Sequence, residues 1–135
     1  MTGWDDFAAT DIDRIVSKLY HALRATRRRH VIRLLRNTDE TTLTTKETAR
    51  KIASLEQGVV IEQATGEPYR NVYNALSQTH LPTLSSADII IYEPKRQRIS
   101  RGPYFQMAAL LIETNTPTVN VFISLTEATE DEECR

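Results

Sequence analysis

Apolar residues recur at three- and four-residue steps through the first third of the chain. Ile12, Ile15, Val16, Leu19, Ala22 and Leu23 form one such stripe, which predicts an amphipathic helix over 11–24. Thr10 stands where an N-cap would, with Asp11 and Asp13 in the first turn, where the helix dipole favours anions. Trp4 and Phe7 precede it, as an arm over 1–9 that folds back as an anchor. Thr26 is placed as a second N-cap, opening a helix whose apolar stripe is Val31, Leu34 and Leu35 and which Asn37 ends. The two helices are continuous or bent near Ala25. Thr41 to Leu43 is a short β-prone patch. A helix capped by Thr44 or Thr45 runs over 46–57, turning in Ala49, Ile52, Ala53 and Leu55, and Gly58 stops it.

A loop of about ten residues follows, long for a connection between packed helices. Pro68 suits the first turn of the next helix. Val72, Leu76, His80, Leu81 and Leu84 mark its inner face. Pro82 lacks an N–H and is expected to kink or break it near 78–81. Ile89 to Glu93 and Arg98 to Ser100 read as two strands joined by a turn at 94–97, a β-hairpin with a basic tip. A helix over 103–114 is apolar on nearly all sides, so it is expected to be buried. Alternation of Val119, Val121, Ile123 and Leu125 predicts a half-buried strand over 118–125. An acidic, disordered tail is expected over 127–135.

The 135 residues suit one domain with an appendage, and 40% hydrophobic content allows a modest core. The longest apolar run, 107–112, is too short for a bilayer span, and no signal-peptide layout precedes it, so a cytoplasmic location with no membrane partner is expected. The single cysteine, Cys134, permits no intrachain disulfide. His21, His30 and His80 lack metal-ligand spacing, and no cofactor or metal is expected. No phosphate-cradling GxxxxGK[ST] loop, nucleophile-elbow serine or HExxH pair occurs, so no catalytic residue is assigned and an enzyme is not expected.

The net charge of −1 hides a strong polarisation. Between 14 and 38 stand Arg14, Lys18, Arg24, Arg27, Arg28, Arg29, Arg33 and Arg36 with no acid; between 68 and 101 stand five bases against Asp88 and Glu93. For a polyanion the local field counts for more than the sum.

The order helix, helix, short strand, helix, helix, hairpin resembles the winged helix-turn-helix. ALRATRRRHVIRLL at 22–35 is similar to the arginine-bearing helix of ArsR-type regulators. LTTKETARKIA at 43–53 resembles their first helix-turn-helix helix, and HLPTLSSADIIIYEPKRQRIS at 80–100 their recognition-helix end and wing. The nearest resemblance is to a family of archaeal winged-helix regulators, carried by Thr79-His80-Leu81-Pro82-Thr83-Leu84. It covers about 12–101. Asp88 stands where that family has Gly, so this turn needs a left-handed Asp.

The fold class implied is mainly α with a small β wing (α+β): an arm over 1–9, a winged helix-turn-helix over 10–101, a dimerisation extension over 102–126 and the acidic tail. The function implied is a homodimeric, sequence-specific regulator of transcription, a repressor, with double-stranded DNA and a second copy of itself as partners. Its recognition helix, about 68–80, enters the major groove through Arg70, Asn71, Tyr73, Asn74, Ser77 and Gln78. The wing, 93–98, places Lys95, Arg96 and Arg98 on phosphates or in the minor groove. Arg27, Arg28 and Lys46 are further candidates for phosphates, although cations in a first helical turn oppose its dipole. Ile15, Leu19, Phe105, Met107, Leu110 and Leu111 are candidates for the dimer interface. The alternative is a winged-helix module that binds protein and not DNA.

Overall fold

The computed structural model describes the backbone of residues 2–133 and the side chains of 11–127. Six α-helices and three short strands follow the order α1 (Thr2–Leu23), α2 (Thr26–Asn37), β1 (Thr42–Thr44), α3 (Thr45–Gln57), α4 (Gly66–Ala75), α5 (Leu81–Ser86), β2 (Ile90–Glu93), β3 (Arg98–Arg101) and α6 (Phe105–Glu133). A single 3-10 turn, Ile61–Gln63, interrupts the loop before α4, and a π turn, Leu76–His80, joins α4 to α5. The strands form one antiparallel sheet in the order β1-β3-β2, with Leu43 opposite Ile99 and Tyr92 opposite the same residue on the other side. This is a mainly helical α+β chain with a winged-helix-like arrangement.

The first helix starts earlier than its apolar stripe. Thr10 lies inside α1, which begins at Thr2, and so does not hold the N-cap position. The arm over 1–9 is thus helical from Thr2, while the side chains of Trp4 and Phe7 fall outside the described ones. The chain bends at Ala25, which is extended and holds the N-cap position of α2 in place of Thr26. Thr44 caps α3 by accepting from the Glu47 N–H at 3.1 Å, and Gly58 closes it in the left-handed region, φ 67°, donating to Ser54 O. Ala49, Ile52 and Ala53 point inward as expected, but Leu55 lies on the outer face, 59% exposed.

Pro82 is absorbed without ending the helical run. The turn before it widens, so that the Leu81 N–H donates to Leu76 O, five residues back. A π bulge is one of the few ways a helix passes a missing donor and the ring's clash. After α5 the chain reverses at Asp88, φ 59°, the left-handed residue the turn requires. Gly102 then crosses closely behind it: its N–H donates to Ile89 O at 2.8 Å, and an added Cβ would sit 2.7 Å from Asp88 O.

The core joins Leu19, Ala22 and Leu23 of α1 to Val31, Ile32 and Leu35 of α2, Ile52 of α3, Leu76, Leu81 and Leu84 of the bulged run, Ile90 and Ile99 of the wing, and Phe105 of α6. Leu19 and Phe105 are buried inside one chain, 2% and 1% exposed, so these two candidates for a dimer interface belong to the core. Burying a side chain such as Phe105 contributes about 1.5–3 kcal/mol.

Within the protomer the start of α6 buries one face: Phe105, Ala108, Ala109 and Ile112 turn inward at i, i+3, i+4 and i+7, while Met107 and Leu110 face out. The chain has enough surface on α1 and α2 to cover one face of this helix and no more. Residues 118–125 are helix, not strand, and the backbone of the acidic segment continues the helix to Glu133. The helix runs through Pro117, and around it Thr114, Asn115, Thr116 and Thr118 donate to carbonyls four residues back. The alternating Val119, Val121 and Ile123 therefore spread around an exposed helix rather than along one face of a sheet.

Candidate nucleic-acid interface

The sequence places an apolar stripe, Val72 and Leu76, under α4, so the opposite side must face out. Arg70, Asn71, Asn74 and Gln78 occupy that side, exposed at steps of one, three and four residues. None of the four has a hydrogen-bond or ion-pair partner among the described residues. The two other candidates on this helix are engaged elsewhere. Tyr73 packs on the core and on Tyr69, ring centroids 6.2 Å apart, and burial followed by the neighbouring phenol pushes the Tyr69 pKa up. The Ser77 hydroxyl donates to Tyr73 O at 3.0 Å. Both are half-buried and border the outer stripe rather than forming its most exposed part.

The wing projects from the same domain. Its turn is tied by Tyr92 Oη donating to Gln97 Oε1 at 3.0 Å and by Gln97 Nε2 donating to Pro94 O at 3.0 Å. Lys95, Arg96 and Arg98 are exposed around it. Glu93 lies opposite Arg98 in register, yet no ion pair joins them. The Thr45 N–H donates to Gln97 O at 2.9 Å, which sets the first turn of α3, and with it exposed Lys46, beside the wing.

The arginine triplet does other work. Arg27 forms a two-point ion pair with Glu56 at the end of α3, 2.7 and 3.0 Å, a bond that raises its pKa. Arg28 is 7% exposed, and burial, with Arg24 nearby, lowers its pKa. Arg29 donates to Leu23 O at 2.6 Å, placing a cation on the carbonyl end of α1. Arg27 and Arg28 are therefore corrected as phosphate contacts. Glu56 and the carbonyl end of α1 offset the unfavourable dipole at the start of α2.

Arg101 was indistinguishable in sequence from the basic wing, but it is structural. It donates to Leu35 O, to Thr38 O at 3.0 Å and to Glu40 O at 3.5 Å, with its guanidinium 5.6 Å from the Phe105 ring centre. It caps the end of α2 and ties it to the sheet. His80, on the π turn, has a buried Nδ1 without a partner. Burial first, then Arg28 and Arg27, lower its pKa; burial and Arg33 do the same for His30, and Glu56 opposes both.

Among the described residues no three His, Cys, Asp or Glu side chains gather to hold a metal ion, and Cys134 lies outside them. No helix there is long and apolar enough to cross a membrane.

No curated protein and no solved structure matches the chain. One family model does, over residues 20–100, from the end of α1 through β3, so most of α1 and all of α6 lie beyond it. Because that match spans more than half of the sequence, the chain belongs to the family described as a domain of unknown function, DUF7344.

Proposed function

We propose that this chain is a sequence-specific regulator that binds double-stranded DNA, acting as a homodimeric repressor. The observation that carries this reading is the outer face of α4. It offers a guanidinium and three amides with no partner among the described residues, in a domain that also carries a basic wing. Asn and Gln pair bidentately with adenine, and Arg with guanine, each pair worth about 1–3 kcal/mol of discrimination. A helix presented this way, with a hairpin to one side, suits the major groove with the wing on neighbouring phosphates. Lys46, Arg70, Lys95, Arg96 and Arg98 are the exposed cations of this surface.

Exposed apolar residues on α6 support self-association. Met107, Leu110, Val119 and Phe122 face out of the protomer, Phe122 at 71% exposure. A twofold pairing through α6, with Ile15 and Leu111 at its edge, would cover them and set two recognition helices about one turn of DNA apart. Titration of the DNA flanking the protein's own gene tests the reading. Specific binding that Asn74→Ala relaxes supports it; a folded protein that binds no such DNA overturns it.

A further inference from the structure

On the side of the molecule built from α1, α2 and the middle of α6, an open cleft of about 460 Å³ is lined by three arginines. Arg24 comes from the end of α1, and Arg29 and Arg33 from α2. Among the described residues no acidic side chain lines the cleft. The nearest acid along α6, Glu113, is already paired with Arg36. Arg24 and Arg33 have no hydrogen-bond or ion-pair partner among the described residues. Arg29 is held in place by Leu23 O at 2.6 Å and Thr26 Oγ1 at 3.2 Å, which fixes its fork toward the same space. Three like charges lining one cleft repel one another; beneath them burial, then Arg33 and Arg29 against Glu56, lowers the His30 pKa, and burial, then Arg24, lowers that of Arg28.

The floor is apolar, Leu23 and Ile112, and Tyr20 stands at the edge. Asn115 gives its amide N–H to Leu111 O at 2.8 Å, which leaves its side-chain oxygen to accept from a hydroxyl. A concave, partly apolar site of this size with a few convergent charged groups is the usual form of a small-molecule site. Guanidinium forks match carboxylate and phosphate oxygens alike.

We propose that this cleft binds a small organic polyanion, a multi-carboxylate or a phosphate ester, through Arg24, Arg29 and Arg33. Its carbon skeleton lies on Leu23 and Ile112. The site shares no residue with α4 or the wing, and only Val119 with the α6 surface proposed for pairing.

Calorimetric titration of the full chain with citrate and with fructose 1,6-bisphosphate, at constant ionic strength, tests the proposal. Saturable binding of one anion per protomer is expected. Arg24→Gln and Arg33→Gln should each weaken it at least tenfold, while Arg96→Gln on the wing leaves it unchanged. Binding of citrate alone assigns the carboxylate class, and binding of the bisphosphate alone the phosphate ester. Circular dichroism verifies that each variant is folded; should Arg33→Gln unfold, exposed Arg24→Gln decides. No saturable binding of either anion, equal binding by the Arg24 and Arg33 variants, or loss in Arg96→Gln overturns the proposal.

Discussion

Replacing Arg101 by Met removes the guanidinium and keeps most of the apolar stem, so it isolates the capping of α2. Arg101 donates to Leu35 O and Thr38 O, while the contact to Glu40 O at 3.5 Å is too long to count for much. Hydrogen bonds from a charged donor contribute about 1.5–3 kcal/mol each. Both bonds are part-buried, and taking the lower end of that range gives about 3 kcal/mol for the two. The cation over the Phe105 ring adds about 0.5–1 kcal/mol. Discounting for the stem and for solvent, Arg101→Met should cost about 2–4 kcal/mol. A chain of 135 residues has an unfolding entropy that converts each kcal/mol into about 3.5 °C, so Tm should fall by roughly 7–14 °C. Differential scanning calorimetry of the wild type, Arg101→Met and the wing variant Arg96→Ala reads this directly. The wing variant should melt with the wild type. A Tm for Arg101→Met within about 2 °C of wild type, or an equal fall in Arg96→Ala, would refute the division between structural and exposed arginines.

Stability should fall as the pH drops below about 6.5, because His30 and His80 are held below that ordinary value in the folded chain and the unfolded chain takes up protons first. Urea midpoints between pH 8 and 5 measure this, and the His30→Gln, His80→Gln double variant should flatten the curve; an unchanged slope would contradict the assignment. Gly102→Ala drives a methyl into the Asp88 and Ile89 backbone at 2.7–2.9 Å and should cost about 1–3 kcal/mol in the same melts. If α6 pairs two copies as proposed, sedimentation should show a dimer for the wild type and a folded monomer for Leu110→Glu with Phe122→Glu, which changes only exposed positions of α6. A dimer that survives both charges would place the interface elsewhere.

The wing and the helix-turn-helix were legible because local rules and tertiary packing agree there. Gly58, Pro68, Asp88 and the basic turn at 94–97 each sit where their own backbone preference puts them. Pro82 was legible as a perturbation but not in its outcome, since a π turn and a break begin from the same missing donor. The alternation over 118–125 misled because two-residue periodicity predicts a strand only where another strand can pair with it. Here a β-prone sequence continues a helix already begun at Phe105. In the candidate interface, the outer amides of α4 followed from the apolar stripe beneath them. The roles of the arginines did not. Arg27, Arg28 and Arg101 resemble Arg96 in sequence, and only Glu56, the surrounding core and the end of α2 separate them.

The salt dependence of DNA affinity tests the central claim most directly. Five exposed cations on α3, α4 and the wing, doubled in a dimer, set an upper bound of about 9 on the magnitude of the slope of log Kobs against log salt. Arg96→Ala should lower that magnitude by about 0.9 per protomer while leaving sequence preference intact. Asn74→Ala should keep the slope and reduce discrimination between sites about 5- to 150-fold. Arg27→Gln, which removes a cation paired with Glu56, should leave the slope unchanged. A slope insensitive to Arg96 but reduced by loss of Arg27 would place the polyanion on α2 and contradict the account.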